Sequence, residues 1–141
     1  MRHALSAAPT RMIDPIFQSD TMQLARHFLD AAALRQDAIA SNLANSDTPG
    51  YHRVDVSADF ASKLKASYQA GQLSQGGVMA DIKPAITEDK DARAVRIDGN
   101  NVELEHELLA MNKNSVEYGY LTDVVTYNIK QLKMAISGTA S

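Results

Sequence analysis

Ile39-Ala40-Ser41-Asn42-Leu43-Ala44-Asn45-Ser46-Asp47-Thr48-Pro49-Gly50-Tyr51 carries the end of one helix and the turn that follows it. Ile39, Ala40, Leu43 and Ala44 supply the last apolar turns. Asn45, Ser46 and Asp47 have short polar side chains that compete with the helical backbone for hydrogen bonds and favour caps and turns. Thr48 is pushed towards extended geometry by the proline after it, and Pro49 has a fixed φ and no N–H to donate. Gly50 permits a positive φ, so Thr48-Pro49-Gly50-Tyr51 reads as a turn with proline second and glycine third. None of these residues performs chemistry; their work is geometric.

On the N-terminal side, apolar residues fall at Met22, Ala25, Leu29, Ala32, Ile39 and Leu43, with Gln36 the one polar member of the three–four alternation. That spacing keeps a stripe on one face for a partner helix. Leu24, Phe28, Ala31 and Leu34 widen the face, which predicts a second neighbour. Residues 1–18 show no period and read as a flexible extension, and the N-terminal helix is predicted over 19–47.

On the C-terminal side, Asp98-Gly99-Asn100-Asn101 reads as a helix entry, with Asn100 placed to cap and Glu103 three residues on. From there Leu104, Leu108, Met111, Ser115, Tyr118, Thr122, Val125, Ile129, Leu132 and Ile136 step by alternating fours and threes. This is the most sustained periodicity in the chain and predicts a heptad helix over 98–138, about 50 Å long. Gly138 stands where a C-terminal stop belongs.

Residues 48–97 separate the two ends. Val54 and Val56 alternate with Asp55 and Ser57, which suits a short extended segment, and Phe60, Leu64 and Tyr68 have helical spacing. Gly71 to Gly77 is polar and glycine-rich, and Val78 to Ile97 offers only isolated apolar residues. The middle is therefore expected to bury little and to be partly disordered. The predicted fold is mainly α: two long terminal amphipathic helices in an antiparallel coiled-coil-like pair, forming one structural domain.

Composition excludes several functions. With 141 residues, a net charge of −3 and scattered lysines and arginines, no basic run argues for nucleic acid. Cysteine is absent, which removes disulfides, thiolate catalysis and cysteine zinc sites. His106 lies in Glu103-x-Glu105-His106-Glu107, but a helical zinc protease needs His-Glu-x-x-His. That segment reads as a solvated helix face. No nucleophile–base constellation and no phosphate loop is present, so no enzyme activity, cofactor, metal or small-molecule substrate is expected. No apolar run reaches the roughly 20 residues that span a bilayer, and Ser6 interrupts the apolar stretch a cleaved signal would need.

The pair Ser41-Asn42-Leu43-Ala44-Asn45 and Thr48-Pro49-Gly50-Tyr51 resembles the N-terminal signature of the bacterial flagellar axial proteins. With Asp98-Gly99-Asn100-Asn101-Val102 leading into the second helix, the chain is similar to the basal-body rod protein family, and most like its proximal subunits. Other small rod subunits tend to carry a Pro-Asn-Val type entry there. The resemblance covers residues 20–60 and 96–138, and the short middle favours a small rod subunit over hook proteins. It implies a structural subunit of the periplasm-spanning rod, exported by the flagellar export apparatus without a cleaved signal. It also implies self-association and contacts with other rod subunits, the rod–ring adaptor and the membrane ring protein. The competing class is a soluble helical chaperone or adaptor of that export apparatus, which would sediment as a compact dimer. Under the rod reading, Asn42, Leu43, Asn45, Thr48, Pro49, Gly50 and Tyr51 set the turn. The assembly seam is then Met22, Leu29, Ile39, Leu43, Leu104, Leu108, Met111, Tyr118, Val125, Ile129, Leu132 and Ile136.

Overall fold

The structure is a computed structural model that describes residues 20–72, 82–92 and 95–138. The N-terminal extension and most of the glycine-rich patch lie outside the described residues. Helix α1 spans Asp20–Ala44, strand β1 Val54–Val56, helix α2 Ala58–Gln69, strand β2 Ile86–Glu88 and helix α3 Leu104–Ser137. The fold is mainly helical. No helix among the described residues is long and apolar enough to cross a membrane.

Helix α1 stops where its last carbonyls are taken by the turn itself. The Asn45 side chain donates to Ser41 O (2.8 Å) and the Ser46 hydroxyl to Leu43 O (3.0 Å). Tyr51 N–H then closes the turn on Thr48 O at 3.2 Å, with Gly50 at φ 71°. Helix α3 ends on Gly138 in the left-handed region (φ 66°), whose N–H bonds to Met134 O.

Strands β1 and β2 pair antiparallel, with Val54 opposite Glu88, Asp55 opposite Thr87 and Val56 opposite Ile86. Hydrogen bonds from Ser57 N to Ala85 O and from Asp89 N to Arg53 O, both 2.8 Å, extend the pairing at either end. The strands are short, and β2 is exposed throughout, so the pair needs the helices beneath it.

The middle of the chain packs more than its composition predicts. Phe60 and Leu64 of α2 form a buried cluster with Ile82. Leu24, Phe28 and Ala31 of α1 and Val56 of β1 pack against it. Phe60 and Leu64 are one helical turn apart and share a face. Three of the four apolar residues that widened α1, Leu24, Phe28 and Ala31, are the ones this face meets. A reading that sums hydrophobicity along the middle overlooks this, because the partner surface lies on another element.

Helix α1 also packs along α3. Its buried line is Met22, Ala25, Ala32, Ala38, Ile39 and Asn42, with Leu29, Gln36 and Leu43 half-buried. On α3 the buried residues are Glu107, Asn114 and Leu132, joined by half-buried Met111, Leu121, Val125 and Asn128. These positions also step by fours and threes, but around a different line from the predicted one. Met111, Val125 and Leu132 belong to both. Leu104, Leu108, Tyr118, Ile129 and Ile136 are exposed in the single chain. The two lines share Met111, Val125 and Leu132, so Glu107 in place of Leu108 on the flank turns the inward face by roughly half of the 100° between successive residues. The cause is that polar residues at Glu107, Asn114 and Asn128 hold inward positions that an apolar count assigns to solvent.

Candidate functional site

Three short polar stretches from distant parts of the sequence meet at one end of the α1–α3 pair. The end of α1 supplies Asn42 and the turn to Tyr51, the start of β1 supplies Arg53, and the loop before α3 supplies Arg96 to Asn101.

Asn42 is fully buried and uses all its hydrogen-bonding capacity. Its Nδ2 donates to Val54 O (2.8 Å) and Glu107 Oε2 (3.1 Å). Its Oδ1 accepts from Val54 N (2.9 Å) and the Tyr51 hydroxyl (3.3 Å). One side chain thereby joins α1, the turn, β1 and α3.

Asn100 does not cap α3. The helix begins at Leu104 after an extended Glu103 that makes no side-chain cap bond. Fully buried Asn100 points its amide back at the end of α1, donating to Asn45 O (2.9 Å), Ser46 O (3.1 Å) and Thr48 O (2.8 Å). Its Oδ1 accepts from Val102 N at 2.8 Å. These carbonyls belong to the turn that follows α1, and the Asn100 amide is a second donor to Asn45 O and Thr48 O beside the Thr48 and Tyr51 N–H groups. Gly50 N–H bonds to Asp98 O at 2.8 Å. Gly99, at φ +81°, lies against it: a Cβ there would sit 3.5 Å from Gly50 Cα. Asn101 Oδ1 accepts from Arg53 N at 2.6 Å, and Arg96 Nη1 donates to Ser46 O at 2.9 Å. The two sequence signatures thus form one interlocked unit.

Beside it lies a charge network. The Arg53 guanidinium, 5% exposed, meets Glu107, 0% exposed, at 2.6 Å. It also contacts Asp89 and Asp55, and Asp55 is shared with Arg35 of α1 at 3.1 Å. Burial pushes the Arg53 pKa down, but the Glu107 hydrogen bond and charge, with those of Asp55, hold it above its ordinary value. Burial likewise pushes Asp55 up. The Arg35 charge leads the opposing effects, with the Val56 N–H bond (2.7 Å) and Arg53 behind it, and the net shift is downward. Burying two charges together is tolerated only when their remaining polar atoms are answered, and the amide of Asn42 helps to answer Glu107.

Arg53, Glu107 and Asn114 were missed in the sequence. The reading of Glu107 as solvated is corrected by its complete burial. The available signal was the recurrence of Glu107, Asn114 and Asn128 at multiples of seven within an apolar heptad helix. Asn114 Nδ2 donates to Ala32 O (2.9 Å) and Gln36 Oε1 (3.0 Å).

Outside this unit, α3 presents much of the large apolar surface left exposed among the described residues. Leu104, Leu108, Ile129 and Ile136 form one stripe, and Leu109, Val116, Tyr120 and Tyr127 another on a different side. A helix apolar on so many sides is one that something else covers. His106 is exposed, and among the described residues no group of three acidic, histidine or cysteine side chains is disposed to hold a metal. The arrangement fixes geometry and offers surface.

The sequence profile of the family described as "Flagella basal body rod protein" matches residues 22–52, which contain most of α1, its stop and the turn. The chain is 29% identical to the flagellar basal body rod protein FlgB of Salmonella typhimurium, over 83% of this chain and 93% of that one. It is 30% identical to FlgB of Escherichia coli (77% and 87%) and 32% identical to FlgB of Proteus mirabilis (77% and 89%). None of these names is that of an enzyme.

The Asn100 geometry predicts the order of two variants. Asn100→Ala should destabilise the full chain by about 1–3 kcal/mol, because its donated contacts are lost and the Val102 N–H loses its acceptor. Asn100→Asp keeps the acceptor for Val102 N but faces a carboxylate to three carbonyl oxygens, so it should be at least as damaging. Urea midpoints decide; a wild-type midpoint for Asn100→Asp contradicts the contact.

Asp55 predicts a pH dependence. Its folded-state pKa lies below the unfolded value near 3.9, so its contribution is fully present above that value and is lost as pH falls through the folded pKa. The urea midpoint should fall as pH drops below about 5 and go on falling below about 3, and Asp55→Asn should flatten that fall. Parallel curves for the two chains would exclude Asp55 as a cause.

Proposed function

The chain belongs to the FlgB family of flagellar basal body rod proteins, and on that premise we propose that it polymerises as a subunit of the proximal rod. Its location is the flagellar basal body. The observation that carries the proposal is the exposed apolar circumference of α3, which a self-sufficient globular domain has no reason to keep.

In this reading α1 and α3 form an antiparallel coiled-coil-like pair and, with the turn between the signatures, one structural domain. Asn42 against Glu107, and Ala32 with Gln36 against Asn114, support that sense, because the contacts climb one helix as they descend the other. Asn42, Leu43, Asn45, Thr48, Pro49, Gly50 and Tyr51 fix where α1 ends, while Asp98, Gly99, Asn100 and Asn101 lock that end to α3. Met22, Leu29, Ile39, Met111, Val125 and Leu132 serve the pairing of the two helices. Leu104, Leu108, Tyr118, Ile129 and Ile136 serve contacts with neighbouring subunits. Each large apolar side chain fully covered on assembly would contribute up to about 1.5–3 kcal/mol. The partners are further copies of this chain, other rod subunits, the rod–ring adaptor and the membrane ring protein. The subunit reaches the periplasm through the export apparatus without a cleaved signal, and the interlock closes only after both ends have emerged.

The test separates folding from assembly. Leu108→Asp and Ile129→Asp alter side chains exposed in the single chain, so helix content and urea midpoint should stay near wild type, within about 0.5 kcal/mol. Incorporation into basal bodies and motility should be lost, because assembly would bury a carboxylate in an apolar contact. Normal rods built from either variant would refute the assignment of this stripe.

A further inference from the structure

A groove of about 900 Å³ opens between α1, the β1–α2 junction, the end of β2 and α3. Phe28 and Phe60 give it an apolar wall, and buried Asn114, 4% exposed, lines it. The Asn114 amide is spent on α1, but its Oδ1 is buried without a partner. The rim is acidic. Asp55 and Asp89 are committed to arginines and Glu88 to His52, whereas Asp59, Asp91 and Glu117 have no ion-pair partner among the described residues, against Lys90 and the Asp55-paired Arg35 of the opposite sign. The groove therefore suits an apolar segment that carries lysine.

This chain carries such a segment. From Val124 to Gly138 the only charged residues are Lys130 and Lys133. Ile129, Lys133 and Ile136 are spaced four and three apart and share one face of α3, with both isoleucines exposed. They cannot reach the groove of their own chain. Lys133 and Glu117 lie on one continuous helix, roughly 24 Å apart at about 1.5 Å per residue.

We propose that the groove receives the Ile129–Lys133–Ile136 face of a second copy of this chain, with its lysines set against the acidic rim. The contact joins two different surfaces, so it is heterologous and propagates from copy to copy. The inference rests on the rod-subunit reading and names the surfaces through which copies of the chain would meet.

Reciprocal charge reversal tests it in cells that carry each variant as the sole copy, read as the amount of this chain per ring in isolated basal bodies. The rim variant is Asp59→Lys with Glu117→Lys, and the stripe variant is Lys130→Glu with Lys133→Glu. Each alone should lower incorporation by about tenfold or more, since like charges are then opposed. All four changes in one chain should restore it to within about threefold of wild type. If a reversal reduces the helix content of the purified chain, the neutral forms Asp59→Asn, Glu117→Gln, Lys130→Gln and Lys133→Gln replace it. Matched neutral forms should then lower incorporation less in combination than the sum of the two sets. Wild-type incorporation of the rim variant overturns the proposal. Loss that the combined chain does not rescue also overturns it, and points to a basic segment of another protein in the groove. Absence of the wild-type chain from basal bodies would instead refute the rod reading itself.

Discussion

Burying Glu107 beside Arg53 strips two charges of water, at a cost of several kcal/mol for each ion. The contact persists because its surroundings answer it: the Asn42 amide meets one Glu107 oxygen, and the other Arg53 nitrogens meet Asp89 and Asp55. Such a pair adds little net stability, but any arrangement that breaks it leaves a charge stranded in the interior. We take its use to be register. Helix α3 turned by one residue would aim Leu108 at the guanidinium, and a shifted β1 would pull Arg53 away from both helices. Arg35 extends the constraint to α1 through Asp55, so four elements are fixed by one connected set of charges.

The interlock beside it acts on backbone. The turn after α1 presents the carbonyls of Asn45, Ser46 and Thr48, and Asn100, more than fifty residues away, donates to all three. Gly99 and Gly50 lie against each other, and both hold a positive φ that other residues resist. The end of one helix and the approach to the other are thus a single structure. A subunit built this way keeps its two long helices aligned while the rest of their surface is left free for neighbours.

How much of this was legible in the sequence follows from how local each effect is. The mainly helical content follows from apolar spacing, and the short strand at Val54–Val56 and the helix through Phe60 and Leu64 follow from alternation and spacing over a few residues. Pro49 and Gly50 act on their own backbone, and the Tyr51-to-Thr48 hydrogen bond is what they favour. Asn100 was placed at a helix start because asparagine followed three residues later by glutamate is a local cap pattern. Its actual partners lie across the fold, where no spacing rule reaches. Glu107, Arg53 and Asn114 escaped for a related reason. Apolar periodicity treats every polar residue as wet, and a buried polar residue reveals itself only once its partner is in place. The inward line of α3 was consequently drawn about half a residue step too far around the helix, partly through side chains that the single chain leaves in solvent. Polar contacts specify one arrangement within the subunit, and on the proposed reading the apolar stripes are left for contacts between subunits.

Electron cryotomography of the envelope of cells lacking this chain tests the account most directly. The account predicts non-motile cells whose membrane rings persist without rod, hook or filament, with all three restored by the wild-type chain. Hooks and filaments assembled in its absence would contradict it.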